Sequence, residues 1–364
     1  TAQALSFAWG PGTPSAGSRL HVTVKMEKYR QFGDASTGVH PFVPHWSQIK
    51  RAPIILRLLK GLLVMPFALA RLVLFMLALG WLGLAQLLCA LIPLGLIRYP
   101  VYRVLSYIGC TLALLALGIV SVADNLADNR RLKLPPSKSS SSRIFDARRG
   151  TLIIVNQQGL TDVLVLGLKV CPIFVFTAAD GTPVQLSLLG ALRRVGARRT
   201  AAPPMRPVSL DKIAEKAKSS WQSVAFFPEG ARTNGSCVLT WKDKTFQGVS
   251  TLERPVGTAL LSLEYSKTGG YTPHHTVGTS FKHVIFLCMQ TWHTVKTTWL
   301  SSNEVAPAIK GKPVAEQVTF LRTLLVRMIP GANEVSIGAE KHMEFMAFWD
   351  KSQSKGYTGD KKRS

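Results

Sequence analysis

Acidic residues are scarce in this chain. Its 364 residues carry 20 Asp and Glu against 44 Lys and Arg, a formal net charge of +24. Such a balance favours a negatively charged partner: nucleic acid, an anionic membrane surface or a phosphorylated small molecule. Basic runs interleaved with aromatics are missing, as is any RNA- or DNA-binding motif, so nucleic acid is not expected as a partner. Cysteine is also sparse. Cys89, Cys110, Cys171, Cys237 and Cys288 are odd in number and show no CxxC spacing. That pattern speaks against disulfides and zinc, and for small buried hydrophobes in a reducing compartment. No metal-ligand spacing and no glycine-rich phosphate loop occur, so neither a metal nor a bound cofactor is expected.

Charge of either sign is missing from two stretches, Leu72–Ile97 and Val104–Ala123. Each is long enough to cross a bilayer core as a helix, which takes about 20 residues. An earlier apolar piece, Ile54–Ala70, carries Arg57, Lys60 and Pro66 and extends the first span or lies in the interface. Only Arg98–Arg103 separates the two runs, a length that predicts a tight turn and therefore a helical hairpin. Lys50, Arg51, Arg57 and Lys60 precede the hairpin, and Arg130, Arg131, Lys133 and Arg143 follow it. Basic residues at both outer ends place both ends in the cytosol. Arg98 and Arg103 in the turn also fit a hairpin that dips into the bilayer and returns.

The remaining pattern divides the chain. Residues 1–47 form an irregular N-terminal segment. Within it Met26 resembles a natural start, and Thr1–Lys25 an extension. Residues 48–130 form the membrane-anchoring hairpin, and residues 131–148 a basic Ser/Pro linker. Residues 149–351 alternate strand and helix signals. Strands are expected at Thr151–Val155, Cys171–Phe176, Ser223–Phe227 and Phe281–Met289. Helices are expected at Thr161–Lys169, Pro183–Val195, Ser209–Trp221, Pro255–Tyr265, Val314–Ile329 and Ala339–Lys351. Alternation of this kind predicts an α/β domain with a mixed, mostly parallel sheet flanked by helices. Ligands in such sheets sit beyond the carboxyl ends of strands. Residues 352–364 are a basic tail whose Lys361 and Lys362 resemble a dilysine retrieval signal of the endoplasmic reticulum.

Two strand ends carry the chemistry candidates. The first continues as Asn156-Gln-Gln-Gly-Leu-Thr-Asp162, the second as Pro228-Glu-Gly-Ala-Arg-Thr-Asn234. An apolar run that stops at proline and delivers a carboxylate, a glycine and a guanidinium is a way to build an anion site. Arg193, Arg194, Arg198 and Arg199 cluster nearby in sequence, as a grip for coenzyme A phosphates or lipid head groups or as a solvated face.

The pair of blocks resembles the glycerophospholipid acyltransferase family, which includes the lysophosphatidate acyltransferases. That family carries Asn-His-x-x-x-x-Asp and, downstream, Phe-Pro-Glu-Gly-Thr-Arg-Ser. The opening Met26-Glu-Lys-Tyr, the stretch Thr37–Pro44, the Asn234-Gly235 ending and the lysine-rich tail are similar to a fungal branch of lysophosphatidate:oleoyl-CoA acyltransferases linked to vacuolar sorting. The resemblance implies acyl transfer from acyl-CoA, as co-substrate, to a lysophospholipid hydroxyl, most of all lysophosphatidate. It implies an endoplasmic-reticulum membrane location, with the lipid droplet as a second surface that suits a hairpin, and a cytosolic soluble domain. Asp162 matches the family aspartate that orients the histidine. Glu229, Gly230 and Arg232 match the second block, with Arg232 as the phosphate binder and Thr233 in place of serine. Gln157 stands where the histidine should be.

That departure matters, because an amide has no useful basicity near neutral pH and loss of a general base costs about 10²–10⁴-fold in rate. Asp162 alone would need desolvation to act as a base. His274, His275, His283 and His293 are the candidates for a relocated base. Two other readings stay open: a non-catalytic relative that binds lipid or acyl-CoA in droplet or trafficking organisation, and a scaffold whose basic surface reads anionic membranes.

Overall fold

The computed structural model describes residues 28–45, 54–134, 149–197, 208–246, 249, 252, 257–266, 271–290 and 292–360. Thr1–Lys25, Lys50, Arg51, most of the Ser/Pro linker, Arg198, Arg199 and the dilysine tail lie outside them.

Two apolar helices come first, α1 (Ile54–Ala90) and α2 (Gly95–Ala116). Leu62–Ala90 and Ile97–Ala116 are long and apolar enough to cross a membrane. The break between the helices falls at Leu91–Leu94, not at Arg98–Arg103. Pro93 has no N–H to continue the ladder, whereas Arg98–Arg103 lies in the opening turns of α2 despite Pro100. The second apolar run is also split. It turns at Leu117-Gly118, and Gly118 adopts φ +80°. Its end then joins β1 (Ile119–Leu126), so part of the expected hairpin belongs to the sheet.

A short helix, α3 (Asn129–Leu132), precedes the linker. Then follow β2 (Leu152–Val155), α4 (Leu160–Lys169), β3 (Ile173–Thr177), β4 (Pro183–Leu186), α5 (Leu188–Gly196), α6 (Leu210–Ser219) and β5 (Val224–Phe227). The chain continues through β6 (Cys237–Val238), β7 (Thr258–Tyr265), α7 (Ser280–Cys288), β8 (His293–Leu300), α8 (Ser302–Ile309), α9 (Val314–Met328), β9 (Asn333–Glu334) and α10 (Glu340–Asp360).

Seven strands form one sheet in the order β1-β8-β7-β2-β5-β3-β4. The pairs β1–β8, β2–β5, β2–β7 and β3–β5 are parallel; β3–β4 and β7–β8 are antiparallel. The fold is therefore the expected mixed, mostly parallel α/β sheet flanked by helices. Its centre is dry on both faces, with Ile153, Ile154, Ala225, Phe226, Ala259 and Leu260 fully buried. The five cysteines are free and buried.

Three expected elements change type. Pro255–Tyr265, expected as a helix, contains strand β7 from Thr258 onward. A strand covered on both faces shows a continuous apolar run, which periodicity does not separate from a buried helix. Phe281–Met289, expected as a strand, is helix α7. Its β-branched and aromatic residues suggest a strand, but His283, Val284 and Leu287 are buried while Phe281 and Phe286 are exposed, a helical period. Pro183–Val195 is split into β4 and α5, with Ser187 capping α5 by accepting from Gly190 N at 3.3 Å.

The apolar helices are packed onto the α/β domain. Helix α2 lies on α4 so closely that a Cβ on Gly167 would stand 2.7 Å from Cys110 Sγ. Arg71 in α1 donates to the carbonyls of Cys288 and Gln290 at the end of α7, the terminus that favours a cation. The other face of both helices exposes large apolar side chains, including Leu63, Leu77, Leu87, Leu94 and Val104. Contiguous apolar surface on this scale marks a membrane or protein contact.

Candidate functional site

Strands β2 and β5 are parallel neighbours, so their carboxyl ends bring the two blocks side by side. Pro228 ends the pairing of β5 and Gly230 turns the chain at φ +68°, a left-handed position where a side chain is strained. The Glu229 carboxylate then fixes the loop. Its Oε1 accepts from Gln157 N at 2.9 Å and its Oε2 from Leu239 N at 3.1 Å. Burial pushes the Glu229 carboxyl up to about 8, opposed by those two N–H groups and by the charge of Arg322. Glu229 is thus a strut between the two blocks, each of its carboxylate oxygens accepting from a backbone N–H.

Asp162 is a helix cap. Its Oδ2 accepts from Gln158 N at 2.6 Å and Gly159 N at 2.7 Å, and its Oδ1 accepts from Tyr265 Oη at 2.5 Å. The side chain is fully buried. Burial raises its carboxyl to about 6 against the pull of those three donors. No histidine among the described residues bonds to it. Tyr265, which donates to Asp162, meets His274 edge-on with ring centroids 5.6 Å apart. The imidazole-orienting role that the resemblance implies for Asp162 therefore has no partner at bonding distance.

Gln157 sits at the head of this arrangement. Its carbonyl accepts from Thr233 N at 2.9 Å, which locks the first block to the second. The Oε1 atoms of Gln157 and Gln158 are shielded from solvent and accept no hydrogen bond among the described residues. Buried amide oxygens left in this way cost stability, about 1–3 kcal/mol each, unless a ligand or water donates to them.

Arg232 is the unusual residue. It is 4 % exposed. Its Nη1 donates to the Val195 carbonyl at 2.5 Å and to His275 Nδ1 at 2.8 Å. Among the described residues no carboxylate pairs with it. Burial, followed by repulsion from Arg194, lowers its pKa to about 10, so it remains a cation at neutral pH. Arg194 donates to the Thr177 carbonyl at 3.1 Å and likewise has no carboxylate partner among the described residues. Arg193 differs: it is exposed on the other side of α5. Thr233 and Asn234 are structural in this state. Asn234 Nδ2 donates to His40 O at 2.9 Å and Val43 O at 2.8 Å, holding the N-terminal segment against the site.

Sequence reasoning placed His275 among four equal candidates and could not see its partners. A guanidinium only donates, so His275 Nδ1 accepts from Arg232 and the ring proton resides on Nε2. His275 stacks on His283 with centroids 4.4 Å apart, and His342 Nε2 donates to the Thr276 carbonyl at 2.9 Å. The tandem His274-His275 was the only available signal. His293, at the start of β8, makes no hydrogen bond to this cluster among the described residues, although its charge disfavours protonation of His283.

Burial first, and Arg232 second, hold His275, His283 and His342 well below the usual histidine range, the last two at about 3. None is a base in waiting, since each is neutral without effort and resists protonation. The consequence is acid lability. In the unfolded chain each takes up a proton near pH 6.5. Their stabilising contribution is complete above that value and is lost as pH falls toward 3. Glu229 and Asp162 have raised values and the opposite sign. Their contribution is complete below the unfolded carboxyl values and is lost as pH rises through about 6 and about 8. Between roughly pH 4.5 and 6 the histidines exceed the carboxyls by one proton, a slope of about 1.4 kcal/mol per pH unit. Below about pH 4 the carboxyls no longer offset them and the slope triples. Thermal unfolding followed from pH 3 to 9 is expected to peak near pH 6.5–7 and to collapse below pH 4. A midpoint constant from pH 7 to 4 would contradict the burial of neutral histidines.

No protein-family model matches the chain. No curated protein matches it either. Among solved structures, the chain is similar to the crystal structure of the 1-acyl-sn-glycerophosphate (LPA) acyltransferase PlsC from Thermotoga maritima, with a TM-score of 0.35 and 13% identity. The similarity covers 70% of this chain and 96% of that chain.

Proposed function

We propose that this protein is a membrane-attached acyltransferase that moves a fatty acyl group from acyl-CoA to a hydroxyl of a lysophospholipid in glycerolipid synthesis, with lysophosphatidate the preferred acceptor. One observation carries the reading: Arg232 is a buried guanidinium without a carboxylate among the described residues, at the strand ends where two acyltransferase-like blocks meet. An unpaired buried cation is costly and persists where an anion completes it. A phosphate monoester on the acceptor is that anion, with Arg194 as a second donor and exposed Arg193 in reach of coenzyme A phosphates. No metal is needed in this reading, and acyl-CoA is a co-substrate.

The glycerol hydroxyl attacks the thioester carbonyl directly. The new C–O bond forms, the C–S bond breaks, and the hydroxyl proton leaves with the coenzyme A thiolate as its thiol. Gln157 offers an amide to orient the hydroxyl or the carbonyl but takes no proton. Glu229 and Asp162 hold the two loops in register. Rate then rests on positioning and on charge, which together can supply a large part of a barrier. The protein would work at the endoplasmic-reticulum membrane, or on lipid droplets, with its α/β domain in the cytosol and α1 and α2 in lipid.

A second reading is favoured by one observation, that among the described residues no imidazole bonds to Asp162. It is a relative that binds the same ligands without turnover. Labelled acyl-CoA transfer to lysophosphatidate, measured on the full chain in nanodiscs, separates the two. Turnover in the wild type that is lost in Arg232→Ala supports the enzyme. Ligand binding that is lost in Arg232→Ala, with no turnover in the wild type, selects the binding protein.

A further inference from the structure

A cavity of about 530 Å³ opens at the pole of the sheet opposite the Arg232 site. Ile173, which begins β3, and Gln222, just before β5, line it, so it lies beyond the amino ends of strands whose carboxyl ends carry the Arg232 site. Its size falls within the range of about 300–1,000 Å³ usual for small-molecule sites. One wall is built from α1 and α2, the other from β4 and α6.

Three features identify an occupant. The lining contains two cations, Arg98 from α2 and Lys216 from α6, and no carboxylate. Gln86, the amide within the uncharged stretch of α1, lines the cavity, and its Oε1 is shielded from solvent and accepts no hydrogen bond among the described residues. A buried acceptor of that kind is costly until something donates to it. Finally, the apolar face of the helices runs up to the rim: Leu87, Leu91, Leu94 and Ile97 are 62%, 74%, 61% and 51% exposed. A molecule lying along that face in a membrane can enter sideways, with its chain against Leu186 and Leu188 and its head group toward the cations.

We propose that this cavity binds one anionic phospholipid from the host membrane, its phosphate held by Arg98 and Lys216 and a head-group donor satisfying Gln86. The proposal rests on membrane attachment through α1 and α2 but not on acyl transfer. Basic pockets beside membrane helices recognise anionic head groups in this manner. The lipid would fix the junction of the two helices against α6, and so set the height of the α/β domain over the membrane.

The test uses the full chain in nanodiscs of phosphatidylcholine with one-tenth phosphatidylserine. After extraction in mild detergent, retained lipid is counted by native mass spectrometry. The wild type is expected to retain one phosphatidylserine, at least tenfold enriched over its share. Arg98→Gln combined with Lys216→Gln is expected to abolish the enrichment; both side chains are exposed, so the fold tolerates the change. Gln86→Leu should weaken retention severalfold. Arg232→Ala should retain the lipid fully, which separates this cavity from the strand-end site. Equal retention of both lipids by the wild type would overturn the proposal, as would unchanged retention in the double variant. Displacement of the lipid by millimolar inorganic phosphate would also overturn it, by showing a site for the free ion. Loss in Arg232→Ala alone would place the retained lipid at the strand ends and refute the second site.

Discussion

Replacing Arg232 with alanine is expected to lower acyl transfer to lysophosphatidate by roughly 30- to 3,000-fold, the range for truncating one member of a buried charged pair at about 2–5 kcal/mol. In the free protein the guanidinium leans on a backbone carbonyl and a neutral imidazole, which bear no countercharge. The acceptor's phosphate would supply it. Arg232→Lys should recover little, because an ammonium has neither the fork geometry nor the reach to serve Val195 O, His275 and a phosphate together. The stability effect runs the other way. Arg232→Met removes an unpaired buried charge while keeping the packing volume, and is expected to stabilise the ligand-free protein by at most about 1–4 kcal/mol, less what Val195 O and His275 Nδ1 lose without their donor. A thermal midpoint that rises while activity falls identifies a binding residue. A midpoint that falls with activity would make Arg232 a structural one.

The second large effect belongs to Asp162. Asp162→Ala is expected to destabilise the domain by roughly 3–9 kcal/mol, because two backbone N–H groups and the Tyr265 hydroxyl lose a buried acceptor, at about 1–3 kcal/mol each. That is a large part of the 5–15 kcal/mol that holds an ordinary domain together. Asp162→Asn keeps an oxygen for the N–H groups and an amide for Tyr265, and should cost only about 1–2 kcal/mol. Activity lost in Asp162→Ala should therefore track lost folded protein, measured by thermal unfolding beside turnover. A stable Asp162→Asn variant with activity reduced more than hundredfold would contradict a capping role and restore a direct catalytic one.

Much of this arrangement was legible in the chain itself. The two blocks at strand ends follow from local pattern: β2 and β5 are short apolar runs that stop abruptly, at Asn156 and Pro228, and parallel pairing aligns the stops. What was not legible depends on distance along the chain. Tyr265 reaches Asp162 only because β7 pairs with β2, and β7 itself reads as a helix when its two covers are unseen. His275 gains its tautomer from Arg232, a contact 43 residues away in sequence with β6 and β7 in between. The hairpin turn was misplaced for a different reason. Charge marks Arg98–Arg103 as the break, but the chain leaves the helix at Leu91–Leu94, around Pro93, while Pro66 and Pro100 stay inside α1 and α2, so neither charge nor a missing donor alone marks the turn. Likewise the arginine pair Arg193-Arg194 looks uniform in sequence, yet the step of one residue around α5 half-buries the second, which donates to the Thr177 carbonyl, and leaves the first in water.

The central claim is that Arg232 awaits the phosphate of a lysophospholipid. Equilibrium binding of lysophosphatidate to the full chain in nanodiscs, set against monoacylglycerol with the same acyl chain, tests it without relying on turnover. The wild type should prefer the phosphate-bearing lipid by at least 30-fold, a preference that Arg232→Met erases. Equal affinity for the two lipids, or a preference that survives Arg232→Met, would contradict the account.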